Sequence, residues 1–85
     1  MTVTQDVKNK IRKFVLDYFV KESGLVLKED TSFLAEGIID STGVLELASF
    51  LEVTFLFRVE DEEIIPENFD SVDKLVNYVN SKLLI

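Results

Sequence analysis

The chain has no cysteine and no histidine among its 85 residues. Without cysteine there is no disulfide to staple the fold and no thiolate to serve as a ligand. Without histidine there is no imidazole base and no zinc site of the usual kinds. Chain breakers are scarce as well, with one proline and three glycines. Set beside a 47% hydrophobic content, that scarcity argues for an ordered, mostly helical chain rather than a disordered one. Any thiol this protein uses must be supplied by a group added to it.

Long apolar runs are missing too. No stretch is long enough to span a bilayer, and Met1 to Phe14 interleaves Lys8, Lys10, Arg12 and Lys13 with Val7 and Ile11, unlike a secretory signal. A cytoplasmic protein without membrane insertion is expected. The net charge of -7 opposes adhesion to anionic lipid or nucleic acid, so the basic residues of the first helix read as a solvated face. A chain of this length makes one domain, residues 1–85, burying about 60 to 65% of its unfolded surface. A monomer is expected.

What is present is helical periodicity. Thr2 and Gln5 have the form of a capping box, and Val7, Ile11, Phe14, Val15 and Tyr18 mark one helical face, ending near Ser23-Gly24. From Leu25 to Asp40 the period is lost, yet apolar residues persist, which predicts a long loop packed on the core. A second helix is expected from Ser41 to about Phe57, with Leu45, Phe50, Val53 and Leu56 widening its apolar arc, as in a central helix. Arg58 to Ile65 reads as a charged connector, and Pro66 to Phe69 as a short turn with proline at its start. Asp70-Ser71 then caps a last helix marked by Val72, Leu75, Val76, Val79 and Leu83. Three longer helices and one short one predict a small all-α four-helix bundle.

One stretch looks like chemistry rather than packing. Gly37-Ile38-Ile39 runs into Asp40-Ser41, and apolar residues then recur at Val44, Leu47, Ala48, Leu51 and Phe55. Ser41 therefore starts a helix, where the first N–H groups lack partners and the macrodipole presents partial positive charge. A plain N-cap is the simplest role for such a serine. Asp40 can serve as the cap itself, however, which leaves the serine hydroxyl free to point outward.

These residues resemble a family, the 4'-phosphopantetheine carrier proteins, which include acyl carrier proteins and their peptidyl and D-alanyl relatives. The resemblance rests on Asp40-Ser41 followed by Glu46-Leu47, preceded by Asp30-Thr31-Ser32-Phe33-Leu34 and Gly37-Ile38-Ile39. It continues through Leu51-Glu52 and Phe55 to Pro66-Glu67-Asn68-Phe69-Asp70-Ser71-Val72. It implies a bundle of acyl-carrier type in which Ser41, beside Asp40, receives 4'-phosphopantetheine from coenzyme A through a phosphopantetheinyl transferase. Acyl groups of fatty-acid, polyketide or specialised lipid synthesis would be carried as thioesters on that arm. It also implies a recognition face on the second helix, at Thr42, Leu45, Glu46, Ser49 and Glu52, read by loading ligases and downstream synthases or transferases. Thr42, Gly43 and Ser49 depart from the fatty-acid pattern, and Gly43 is reminiscent of D-alanyl carriers.

Charge fits such partners. From Glu36 to Asp73 there are eleven acidic residues against one basic residue, Arg58. Clustered charge of one sign steers partners of the opposite sign, so enzymes with basic patches are expected, although simple solvation accounts for any single glutamate. Glu60 to Glu63 lacks the order of a calcium loop, and no metal site is expected. An aminoacyl carrier and an arm-less acidic interaction module remain as alternatives. Catalysis by the chain itself is not expected, because no base, thiol or phosphate-binding glycine loop accompanies the carboxylates.

Overall fold

In the computed structural model, which describes residues 3–20 and 26–83, every regular element is helical. The helices are α1 (Val3–Val15), α2 (Ser41–Phe55), α3 (Pro66–Phe69) and α4 (Val72–Leu83). Three longer helices and one short one are thus present, and the described residues contain no strand. The capping threonine, Thr2, and the expected end of the first helix at Ser23-Gly24 lie outside the described residues. None of the helices there is long and apolar enough to cross a membrane.

Helix α1 buries Val7, Ile11 and Val15 and packs against α4. Beyond Val15 the turn widens into a π-helical segment, Leu16–Val20. Bonds from i to i+5 take up one extra residue per turn, so the apolar register slips by one position. Val20 takes the next buried place, and Tyr18, expected on the buried face, is 53% exposed.

Helix α2 buries Leu47, Ala48 and Leu51, as the spacing predicts. Two expectations about it are corrected. It stops at Phe55 rather than Phe57, because Leu56 takes a left-handed conformation (φ 61°) and donates its N–H to the Glu52 carbonyl at 3.0 Å. The chain turns back there so that the Phe57 ring can meet Tyr78 edge-on at 5.8 Å and Val59 N–H can reach the Glu52 carboxylate at 2.8 Å. The broad apolar arc is also not all buried: Leu45, Val53 and Leu56 are 58%, 76% and 85% exposed.

Pro66 occupies the first position of α3, where its missing N–H costs nothing. Ser71 caps α4, its hydroxyl accepting the Lys74 N–H at 3.1 Å. Asp70, expected to share that capping, faces the long loop instead. Its carboxylate accepts the Leu34 N–H at 2.9 Å and the Ser32 hydroxyl at 2.6 Å, and its carbonyl accepts the Phe33 N–H at 2.8 Å. With Phe33 buried beneath them, these bonds tie the loop to the α3–α4 junction. Helix α4 buries Val72, Leu75, Val76 and Val79 as expected, and Tyr78 as well.

The charged connector is more structured than its composition suggests. Asp61–Glu63 forms a 3-10 turn, and Glu63 reaches back to accept the Glu60 N–H at 3.0 Å, the Tyr78 hydroxyl at 2.8 Å and the Lys82 ammonium at 2.9 Å. Glu63 is therefore an internal tie rather than a solvated charge. The Glu60 N–H, followed by Lys82 and Tyr78, holds its carboxyl down to about 2, against an ordinary 4.5. Burial, reinforced by the Glu63 carboxylate, pushes the Tyr78 hydroxyl above its usual range. A depressed folded-state pKa contributes stability that is present above about pH 4.5 and lost as pH falls toward 2. Glu63→Gln is accordingly expected to lower stability at neutral pH, with the deficit shrinking as pH falls through that window. Urea denaturation of both proteins between neutral pH and pH 3 checks this, and a constant deficit would contradict it.

Candidate functional site

Helix α2 begins under a side-chain cap that sequence had left between two residues. Asp40 lies in extended backbone (φ -100°, ψ -173°), and its Oδ1 accepts the Gly43 N–H at 2.7 Å. Aspartate is thus the cap, satisfying one of the orphan donors of the first turn. Ser41 is the first helical residue. Its hydroxyl is exposed and has no hydrogen-bond partner among the described residues.

Ser41 also lines an apolar cleft of about 190 Å³ between the long loop, α2, the connector and α3. Phe33, Ile39, Val44, Ile64 and Phe69 are among the lining side chains, with the carboxyl-bearing Asp40 and Asp70 also on its wall. Phe33 and Ile39 arrive from the loop, held by the Asp70 bonds and by the Ile38 N–H to Phe33 carbonyl bond at 2.9 Å. Ile64 and Ile65 arrive from the connector. Reading along the chain did not identify the residues of this cleft, because loop, α2, connector and α3 all contribute to it. The one available signal was the apolar Ile64-Ile65 pair closing an otherwise charged run.

Gly43 is buried in the first turn of α2. A Cβ built on it would lie 2.9 Å from the Phe19 ring, 3.1 Å from Ile39 and 3.3 Å from the capping Asp40 oxygen. Close packing of α2 on Phe19 thus accounts for this glycine without reference to cargo. Gly43→Ala gains about 1 kcal/mol of helix propensity but overpacks a site where such insertions cost about 1 to 3 kcal/mol. A net loss of up to about 2 kcal/mol is expected in urea denaturation; a gain in stability would show that Phe19 gives way freely.

The expected recognition residues divide. Thr42, Leu45, Glu46 and Ser49 are exposed and line one continuous surface of α2. Glu52 stands apart, half-buried and engaged with the Val59 N–H. Beside the strip, Phe14, Tyr18 and Phe50 form an aromatic wall; Phe14 and Phe50 are half-buried and pack on the core as expected, whereas Tyr18 is exposed. Phe14 lies flat on Phe50 at 4.0 Å and on Tyr18 at 5.1 Å. Among the described residues no group of three or more carboxylates is arranged to hold a metal ion.

The site can therefore present the Ser41 hydroxyl, with that of Thr42 next to it, unencumbered among the described residues at a helix N-terminus, beside an apolar cleft and an exposed, partly apolar helix face. Its residues fit a covalently attached anionic group at Ser41, since the helix terminus favours negative charge and the cap does not compete for the hydroxyl. No protein-family model matches the chain, and no curated protein matches it either.

Proposed function

We propose that this chain is a discrete acyl carrier protein, its four helices forming a bundle of acyl-carrier type, with Ser41 as the attachment point of 4'-phosphopantetheine. The observation that carries this reading is the Ser41 hydroxyl, exposed and uncommitted at the start of α2 while Asp40 does the capping. When attached, the arm supplies the thiol that this cysteine-free chain lacks, on which acyl groups are held as thioesters. The residues of the chain do the rest. The first turn of α2 favours the negative charge by about 0.3 to 1 kcal/mol, Asp40 keeps that turn ordered, and the Asp70 bonds hold the loop that leads into it. The chain is not itself the catalyst in this reading: a transferase, a loading ligase and downstream synthases act on what it presents.

The mostly apolar wall of the cleft beside Ser41 suits a hydrocarbon acyl cargo, and the Asp40 and Asp70 carboxylates on that same wall keep an aminoacyl cargo as the second reading. Gly43, which resembles D-alanyl carriers, no longer argues for an amino acid once Phe19 accounts for it. The test is intact mass after incubation with coenzyme A and a broad-specificity phosphopantetheinyl transferase. A gain of one phosphopantetheinyl group is expected. No gain on folded protein, with a known carrier modified in parallel, would leave the arm-less interaction module as the better reading.

A further inference from the structure

The outward strip of α2 continues across the aromatic wall to α1, making a shallow groove of about 500 Å³. The two helices run antiparallel there: Tyr18 lies near Thr42, and Lys13 lies near Thr54. The ends of the face consequently differ in charge. Asp40 and Glu46 lie at the Thr42 end, and Lys10 and Lys13 at the Thr54 end. Lys13 is paired with Asp17 at 2.7 Å, whereas Lys10 and Glu46 are exposed and form no ion pair among the described residues. Between them lie exposed Leu45, Val53 and Tyr18.

We propose that this face docks a second copy of the chain about a two-fold axis, with α2 antiparallel to α2 and the two helices crossing at Ser49. An isologous contact must be self-complementary, and this face is. Reversing it sets Leu45 of one copy against Val53 of the other and brings each Glu46 opposite the other copy's Lys10. The small Ser49 side chains at the crossing allow close approach of the helices. A uniformly basic partner surface would satisfy Glu46 but meet Lys10 with like charge, so the second copy fits both ends where such a surface fits one. The net charge of -7 opposes association at long range, but at physiological ionic strength the Debye length is about 8 Å and the local pairs dominate. Nine residues line the groove itself, and with Lys10 beside it the contact is smaller than the roughly 20 to 30 residues a side of a standard interface. The dimer is correspondingly weak, with a Kd on the order of 0.1 mM, and the monomer expected from sequence is its dilute state. If Ser41 carries the arm as proposed above, the dimer also covers Thr42 and Glu46, so self-association and docking of a loading enzyme exclude one another.

Sedimentation equilibrium of the unmodified full chain up to about 1 mM tests this without reference to loading. A monomer–dimer equilibrium is expected. Glu46→Lys and Lys10→Glu should each weaken it by roughly tenfold, and the double variant Glu46→Lys/Lys10→Glu should restore it to within about threefold. Both side chains are exposed, so helical circular dichroism should be unchanged in every variant. A single monomeric species throughout would overturn the proposal and leave the face to a different protein. A dimer indifferent to both charge reversals would overturn it by placing the contact on another surface. Either result leaves the mass test of Ser41 unaffected.

Discussion

Ser41→Ala is expected to take up no phosphopantetheinyl mass under conditions where the wild-type chain is fully modified, while folding as well as wild type. The two halves of this result have separate causes. Modification requires a hydroxyl nucleophile at the first residue of α2, and alanine has none, so the loss is complete rather than partial. The fold is insensitive because the Ser41 hydroxyl is exposed and makes no hydrogen bond among the described residues, the capping being done by Asp40 Oδ1 on the Gly43 N–H at 2.7 Å. Alanine is moreover a good residue inside a helix, so the change in stability should stay within about 0.5 kcal/mol. Asp40→Ala is the complementary variant. It retains the nucleophile but removes the cap, at about 0.5 to 2 kcal/mol, and should slow modification without abolishing it. Intact mass and urea denaturation on the three proteins separate the outcomes. Uptake by Ser41→Ala would place the arm elsewhere and sink the assignment.

Phe33→Ala is expected to have the largest effect on stability, a loss of about 3 to 5 kcal/mol. Phe33 is among the largest fully buried side chains, yet it belongs to a loop rather than a helix. Its N–H donates to the Asp70 carbonyl and its carbonyl accepts the Ile38 N–H, so the residue fastens both ends of the segment leading to the site. A domain of this size has on the order of 4 to 13 kcal/mol in total, so the substitution removes roughly a quarter of it or more. Loading at Ser41 should then fall roughly with the folded fraction and recover in a stabilising co-solvent, unlike the loss in Ser41→Ala. A shift in the urea midpoint equivalent to less than about 1 kcal/mol would show that the loop can repack around the void.

The difference between those variants reflects what can be read along a chain. The start of α2 at Ser41 is legible because it is set locally. Asp40-Ser41 stands immediately before an apolar period of 3.6, and helix starts are set by a few adjacent residues. The buried faces of α2 and α4 are legible for the same reason, and so is proline at the start of α3. The absence of cysteine and histidine, likewise plain from composition, removes the chain's own thiol and imidazole chemistry.

Other features depend on contacts between residues far apart in the chain, which no local pattern encodes. The slip at Leu16–Val20 turns Tyr18 outward because Val20 finds the core instead. Helix α2 ends two residues early because Phe57 meets Tyr78 and Val59 meets Glu52. Asp70 leaves its own helix to hold a loop thirty-six residues earlier, and Glu63 leaves the solvent for Lys82 and Tyr78. The cleft beside Ser41 exists only once loop, α2, connector and α3 converge. Sequence by itself determined the positions of the main helices and the start of α2 at Ser41, since each depends on neighbours within a turn or two. Tertiary structure alone decided which apolar residues of α2 face outward and which carboxylates are tied inward, because burial and long-range hydrogen bonding are properties of the packed chain.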